Sequence, residues 1–190
     1  STWIERGLAA AEPLELAPVE IFVADPQVTL LGLLGMHLLS SGFAGQGRAR
    51  LEQAHARARL LGWPNTRLAA FWYEALFAVR LGDAERVAAL ADEMRALVDE
   101  SEVAQGRTAC RWFRGWADAR MGQPRDGYRR IREAYGDNTR LGMLAGGSEV
   151  LGYATEALVL DGDWDGAQHE LEDAMQVANT LGERVYLPQL

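Results

Sequence analysis

The chain has 190 residues, 48% of them apolar, and a formal net charge of −8 from 27 acidic and 19 basic residues. All the basic residues are arginine, so the lysine on which P-loops, Schiff-base enzymes and protein kinases depend is missing. The acidic balance argues against a nucleic-acid-binding surface, which is normally basic. Because neither a membrane-spanning stretch nor a signal peptide is visible, we expect a cytoplasmic protein or fragment.

Residues 1–26 are predicted to form an N-terminal segment that differs from the rest of the chain. Ser1–Ala11 is compatible with a helix that ends a preceding repeat. Pro13, Pro18 and Pro26 then punctuate an extended stretch. Residues 27–190 are predicted to form one helical repeat domain.

Glycines mark a 40-residue period in this second region. The first series is Gly42, Gly82, Gly122 and Gly162, each between two apolar, helix-like runs. The second series is Gly62, Gly142 and Gly182, with Glu102 in its vacant place. Glycine is favoured where a helix ends and the chain turns through positive φ. One series is therefore predicted to close the first helix of each repeat, and the other series the second.

Small and apolar residues recur at fixed offsets from the first glycine series. Seven residues before each turn stand Gly35, Ala75, Gly115 and Thr155. Five, nine and twelve residues after the turns stand Gly47, Leu51 and Ala54; Val87, Ala91 and Met94; Gly127, Ile131 and Ala134; and Ala167, Leu171 and Ala174. These spacings place the side chains on one helical face, and small residues there let two helix backbones approach closely.

The predicted helix pairs are 27–41 with 45–61, 66–81 with 84–100, 104–121 with 125–136, and 145–160 with 165–181. Pro64 and Pro124 fall at boundaries, where proline is tolerated. The sequence therefore predicts an all-α fold, a right-handed α-solenoid of about four helix-turn-helix repeats.

The small-residue offsets resemble those of tetratricopeptide repeats, although the period is 40 rather than 34. Further motifs stand in order at Asp25-Pro26-Gln27-Val28, Leu60-Leu61-Gly62-Trp63-Pro64, Phe113-Arg114-Gly115-Trp116-Ala117 with Gly122-Gln123, and Thr180-Leu181-Gly182-Glu183-Arg184. This order resembles the tetratricopeptide-like repeat region of bacterial signalling ATPases, relatives of the maltose-regulon activator and of cyclase/ATPase regulators. The resemblance implies a region that senses an inducer or partner and restrains an ATPase.

Equivalent places on the first helices of the second and third repeats predict a binding face. The candidate residues are Trp72, Leu76, Arg80, Trp112, Trp116 and Arg120. In tetratricopeptide repeats these places line the concave groove, so an aromatic strip flanked by arginines would bind a peptide or small ligand. The alternative is that the rings pack between helices, as most tryptophans do.

The third repeat is rich in arginine and the fourth in acidic residues. Arg107, Arg111 and Arg114 share one face, and Arg125, Arg129 and Arg132 share another. Such a cluster would bind an acidic partner or phosphate, or else form a solvated face that pairs with the acidic fourth repeat.

Sets of residues that would support catalysis or metal binding are not visible. His37, His55 and His169 lack metal-ligand spacing and are expected to be structural. Cys110, the one cysteine, is expected to be a buried small residue. The sequence thus predicts no enzyme activity, catalytic residue, metal or cofactor.

A calcium-loop pattern occurs at Asp161, Asp163, Asp165, Gly166 and Glu172. Gly162 belongs to the turn series, and Asp163 or Asp165 suits the N-cap of the next helix. A helix that begins near Asp165 is incompatible with a wrapped calcium loop. We therefore interpret these acids as a turn and a helix cap.

The predicted function is a protein-interaction or effector-sensing module of a cytoplasmic bacterial regulator, of transcriptional or cyclase/ATPase type. The partner would be a protein or peptide, including other domains of the same parent chain, with no nucleic-acid or membrane contact by this segment. The alternative function is a small-molecule receptor with a Trp-lined pocket.

Overall fold

Helix ends follow the proline and glycine positions of the sequence. The computed structural model describes residues 3–4, 6–7, 24–101 and 104–183. From Pro26 onward these form eight α-helices: α1 Pro26–Ser40, α2 Ala44–Leu61, α3 Pro64–Arg80, α4 Ala84–Ser101, α5 Ala104–Arg120, α6 Pro124–Arg140, α7 Gly147–Asp161 and α8 Trp164–Leu181. The predicted all-α class of paired helices is confirmed.

The N-terminal segment is described only in part. Trp3, Ile4, Arg6 and Gly7 are helical, as predicted for Ser1–Ala11. The other residues of that predicted helix lie outside the described residues, as does the predicted extended stretch at Pro13 and Pro18.

Both glycine series lie at helix ends, as predicted. Their seven members have φ between +70° and +92°, a region that a Cβ atom makes unfavourable. The prolines mark the opposite ends, because Pro26, Pro64 and Pro124 are the first residues of α1, α3 and α6. Glu102, in the vacant place of the second series, lies outside the described residues.

One helix is longer than predicted. The sequence predicts an end near Gly136, but α6 continues to Arg140 and ends before Gly142. Asp137 accepts hydrogen bonds from Arg111 on α5 and from Arg140. These charge-assisted bonds favour a helical conformation beyond Gly136.

The chain divides into two compact units, of which the first comprises Ser1–Asp83 with Ala96–Val103. Here α1, α2 and α3 pack on one another. Their core includes Val28, Leu31, Ala54, Ala58 and Ala70.

An ion pair fixes the start of α1 in this unit. Asp25 caps α1 by accepting a hydrogen bond from the Val28 amide, and its carboxylate accepts two more from Arg57 on α2, at 2.8 and 2.9 Å. The Asp25 amide donates to Thr66 Oγ1 on α3. Asp25 is buried, so this pairing compensates the desolvation of its charge.

The second unit comprises Ala84–Arg95 and Ala104–Leu190, and here α5–α8 pack in chain order, with a further contact between α5 and α7. Its fully buried large side chains include Trp112, Trp116, Phe113, Ile131 and Leu151. None of the described helices is long and apolar enough to cross a membrane.

The repeat offsets coincide with the buried positions. Eleven of the twelve residues predicted after the turns are buried, and Leu171 is half-buried. A Cβ on Gly35 would lie 3.1 Å from the Gly47 carbonyl oxygen, so α1 and α2 approach closely at two small residues, as predicted.

Candidate functional site

The tryptophans of α5 lie in the core of the second unit. Trp112 is 1% and Trp116 is 2% exposed. The Trp112 ring stacks 5.5 Å from the Tyr153 ring on α7. Of the two alternatives for these rings, groove or core, the burial corresponds to the core.

Two charged side chains contact the indole ring of Trp116. Its indole Nε1 donates a 2.9 Å hydrogen bond to Glu156 Oε2 on α7, and Arg120 Nη1 lies 2.9 Å from Glu156 Oε1. The Arg120 guanidinium also stands 5.5 Å above the Trp116 ring. The Arg120 and Glu156 side chains are about one third exposed, at 38% and 34%. We call Trp116, Arg120 and Glu156 the Trp116 cluster.

The Trp116 cluster includes a residue that sequence reasoning missed. Glu156 stands 40 residues after Trp116, in the place that Leu76 and Trp116 occupy in the preceding repeats. That spacing was the available signal, but the candidate strip covered only the second and third repeats. The structure gives Arg120 an acidic partner from the next repeat, so this part of the face carries both charges.

The corresponding residues of the second repeat lie on α3, in the first unit. Trp72 and Leu76 are half-buried, and Arg80 is exposed.

Two of the three residues on one arginine face of the third repeat pair with the acidic fourth repeat, which was one of the two alternatives for this cluster. Arg125 donates to Asp161 at 2.8 Å, and Arg132 donates to Glu170 at 2.9 Å. Glu170 is 5% exposed and also accepts a hydrogen bond from the Tyr128 hydroxyl. Burial raises the pKa of Glu170, against the opposing effect of the Arg132 charge.

The other arginine face pairs within the second and third repeats. Arg111 is paired with Glu133 and Asp137 on α6. Arg114 is paired with Asp118, one turn further along α5, and with Asp92 on α4. The hydrogen bond to Asp118 raises the pKa of Arg114. Each of these two guanidiniums is therefore paired with two carboxylates.

Two members of the predicted arginine faces remain, Arg129 and Arg107. Arg129 pairs with Asp126 on its own helix, and Arg107 is exposed. Cys110 is buried at 6% exposure, as predicted.

The histidines occupy different environments. His55 Nε2 lies 2.6 Å from Glu74 Oε2 and links α2 to α3. His37 and His169 are exposed. Within the described ranges, no three His, Cys, Asp or Glu side chains are grouped as ligands for a metal ion.

The acids of the calcium-loop pattern take the structural roles proposed for them. Asp163 is the N-cap of α8, and its Oδ1 accepts a 2.9 Å hydrogen bond from the Gly166 amide. Asp161 faces Arg125, and Glu172 lies on the formed helix. Asp163 rather than Asp165 is thus the cap.

Comparisons with known proteins bear on the fold. No protein-family model matches the chain, and a search of curated proteins found no match. A similar solved structure is that of a Podospora anserina protein described as a kinesin light chain with nearly identical TPR-like (tetratricopeptide-like) repeats. It is 15% identical, with a TM-score of 0.56, and the match covers 96% of this chain and 86% of that one. At this identity the likeness concerns the fold alone, and this chain folds as TPR-like helical repeats.

Proposed function

We propose that the chain is a protein-interaction module that binds a protein or peptide through the first helices of its repeats. The observation that carries the proposal is the Trp116 cluster, in which a buried ring holds a partly exposed arginine and glutamate in fixed positions. Helical repeats present extended surfaces that suit peptides and helices. Fixed polar groups on such a surface lose little conformational entropy when they bind.

In this proposal the buried tryptophans act indirectly. Trp112 and Trp116 hold α5 against its neighbours, while Arg120 and Glu156 contact the partner. On α3, the half-buried Trp72 and Leu76 and the exposed Arg80 contribute a second contact area. Partner selectivity then comes from charge at Arg120 and Glu156 and from apolar contact at Trp72 and Leu76.

The wider setting rests on the sequence resemblance to the repeat regions of bacterial signalling ATPases. It supports a role in a cytoplasmic bacterial regulator, with residues 27–190 as the repeat domain and residues 1–26 preceding it. Other domains of a longer parent chain are then candidate partners. The alternative, a receptor with a Trp-lined pocket, gains no support from Trp112 and Trp116, whose rings are buried.

Peptides selected from a random display library on the immobilised chain provide the test. Arg120→Glu is expected to abolish binding of the selected peptides, because it replaces the positive charge of this pair with a second negative charge beside Glu156. The matched control is Arg129→Glu, since Arg129 is exposed and pairs on the second helix of the same repeat. Circular dichroism should show unchanged helicity and melting temperature for both variants. Failure to select any peptide, or equal binding by both variants and the wild type, would reject the proposal.

A further inference from the structure

Four arginines from three helices of the second unit converge on a cleft of about 220 Å³. They are Arg95 on α4, Arg111 and Arg114 on α5, and Arg130 on α6, and we call this site the arginine cleft. Asp92 is the acidic side chain in its lining, which otherwise includes the small residues Ala91 and Cys110. A lining with four arginines and one aspartate is unusual in a chain whose net charge is −8.

Carboxylates behind the cleft fix the orientation of its guanidiniums. Asp118 is 4% exposed, lies 2.7 Å from Arg114 Nε and 3.2 Å from Arg130 Nε, and thereby holds two of them. Arg111 is held by Glu133 and Asp137 on α6. A guanidinium has five N–H donors, and the two named hydrogen bonds of Arg114 use two of them. Arg111, Arg114 and Arg130 are thus oriented before any ligand binds.

Asp92 differs from the other carboxylates because it lies in the cleft itself. Its side chain is 53% exposed, accepts a 3.0 Å hydrogen bond from Arg114 Nη1, and lies 3.9 Å from Arg95 Nη2. An exposed ion pair of this kind contributes no more than about 1 kcal/mol. Asp92 therefore occupies, at little energetic gain, a position where the oxygen of an external anion would accept the same hydrogen bond from Arg114 and face Arg95.

We propose that the arginine cleft binds a phosphate group, either inorganic phosphate or the phosphate of a small phosphomonoester, which displaces Asp92 from Arg114 and Arg95. Guanidinium forks match the oxygens of phosphate, and a phosphate offers Arg95 and Arg114 more acceptor oxygens than the Asp92 carboxylate does. The cleft volume accommodates a phosphate with a small substituent. The cleft is independent of the Trp116 cluster, so this inference does not rest on the proposed function.

Calorimetric titration of the 190-residue chain with inorganic phosphate tests the proposal, and glycerol 3-phosphate and acetate serve as comparison ligands. Saturable phosphate binding with a Kd of about 1 mM or tighter is expected, and acetate should bind more weakly. Tighter binding of glycerol 3-phosphate would identify a phosphomonoester as the ligand, whereas equal or weaker binding would identify free phosphate. No saturable binding of either phosphate ligand, or acetate binding as tight as phosphate, overturns the proposal.

One substitution with a matched control distinguishes a specific phosphate site from the general effect of the protein's charge on anion binding. Asp92→Asn should tighten phosphate binding about threefold, because it removes the competing carboxylate. Glu172→Gln makes the same charge change at an exposed position on α8 and should have little effect. Equal effects of these two substitutions would overturn the proposal.

Arginine substitutions test the opposite direction. Arg130→Gln should weaken phosphate binding about tenfold, and Arg125→Gln, at an exposed arginine outside the cleft, should not. Arg114→Lys keeps the charge but loses the fork, so weaker binding is expected again. This variant decides the matter if Arg130→Gln fails to fold. Wild-type affinity in a folded Arg130 or Arg114 variant overturns the proposal.

Discussion

Gly115 and Gly127 face each other where α5 crosses α6, and a Cβ on Gly115 would lie 2.8 Å from the Gly127 carbonyl oxygen. The same Cβ would lie 2.8 Å from Cγ1 of Ile131. Both distances are shorter than ordinary van der Waals contact, and one neighbour is backbone that cannot rotate away. The two glycines therefore set how closely these helices approach.

Gly115→Ala is expected to lower the free energy of unfolding by about 1–3 kcal/mol, because α5 must move away from α6. The matched control is Gly136→Ala on α6, where an added Cβ meets nothing within 4 Å. That change should raise stability by up to about 1 kcal/mol through helix propensity. Urea denaturation followed by circular dichroism measures both. A Gly115→Ala variant as stable as the wild type would contradict the close approach.

The 40-residue repeat predicted most of the fold, because the requirement for glycine or another small residue at a position arises from local backbone geometry and helix packing. A positive φ or a close helix crossing needs a particular residue, and such residues recur at steps of 40 positions, as at Gly82, Gly122 and Gly162. Asp163 shows the limit of local signals, since the sequence left it and Asp165 as alternative caps and only the geometry distinguishes them.

The candidate site was less predictable because it depends on contacts between repeats. The sequence placed Trp116 on a helical face, but whether another helix covers that face depends on tertiary packing. Glu156 was missed because its role exists only through contact with Trp116 and Arg120. The arginine cleft likewise combines Asp92 and Arg130, which lie on different helices and share no sequence motif.

The burial of Trp112 leads to a stability prediction. Trp112→Ala should cost about 3–5 kcal/mol, because it removes a fully buried ring that stacks on Tyr153. Trp164→Ala is the matched control, since Trp164 is 67% exposed at the start of α8, and it should cost less than about 1 kcal/mol. Chemical denaturation monitored by circular dichroism separates the two. Equal losses would argue against a core role for Trp112.

The cap of α8 leads to a second comparison of neighbouring residues. Asp163→Ala should lower stability by about 1 kcal/mol, because it leaves the Gly166 amide without its acceptor. Asp165→Ala should cost less, since Asp163 is the cap and the exposed Asp165 side chain stands in the first turn, where its charge interacts with the helix dipole. Thermal denaturation of both variants measures the difference. Micromolar calcium affinity that disappears in the Asp163→Ala variant would instead support a calcium loop.

Glu170 makes stability depend on pH in a direction opposite to that of most paired carboxylates. Burial raises its pKa above the ordinary value of 4.5, so the folded chain binds this proton more tightly than the unfolded chain. The resulting stabilisation is fully present below pH 4.5 and is lost as the pH rises through the folded-state pKa. One proton allows a slope of at most about 1.4 kcal/mol per pH unit.

Glu170→Gln removes this titration while keeping a group of similar shape beside Tyr128 and Arg132. The difference in unfolding free energy, wild type minus variant, should therefore decrease as the pH rises above 4.5. Glu172→Gln on the exposed face of α8 controls for the loss of one acid, and its difference should not decrease in this way. Urea denaturation at half-unit pH steps gives both curves. A wild-type advantage over the Glu170→Gln variant that grows with pH would mean that the Arg132 ion pair outweighs the burial of Glu170.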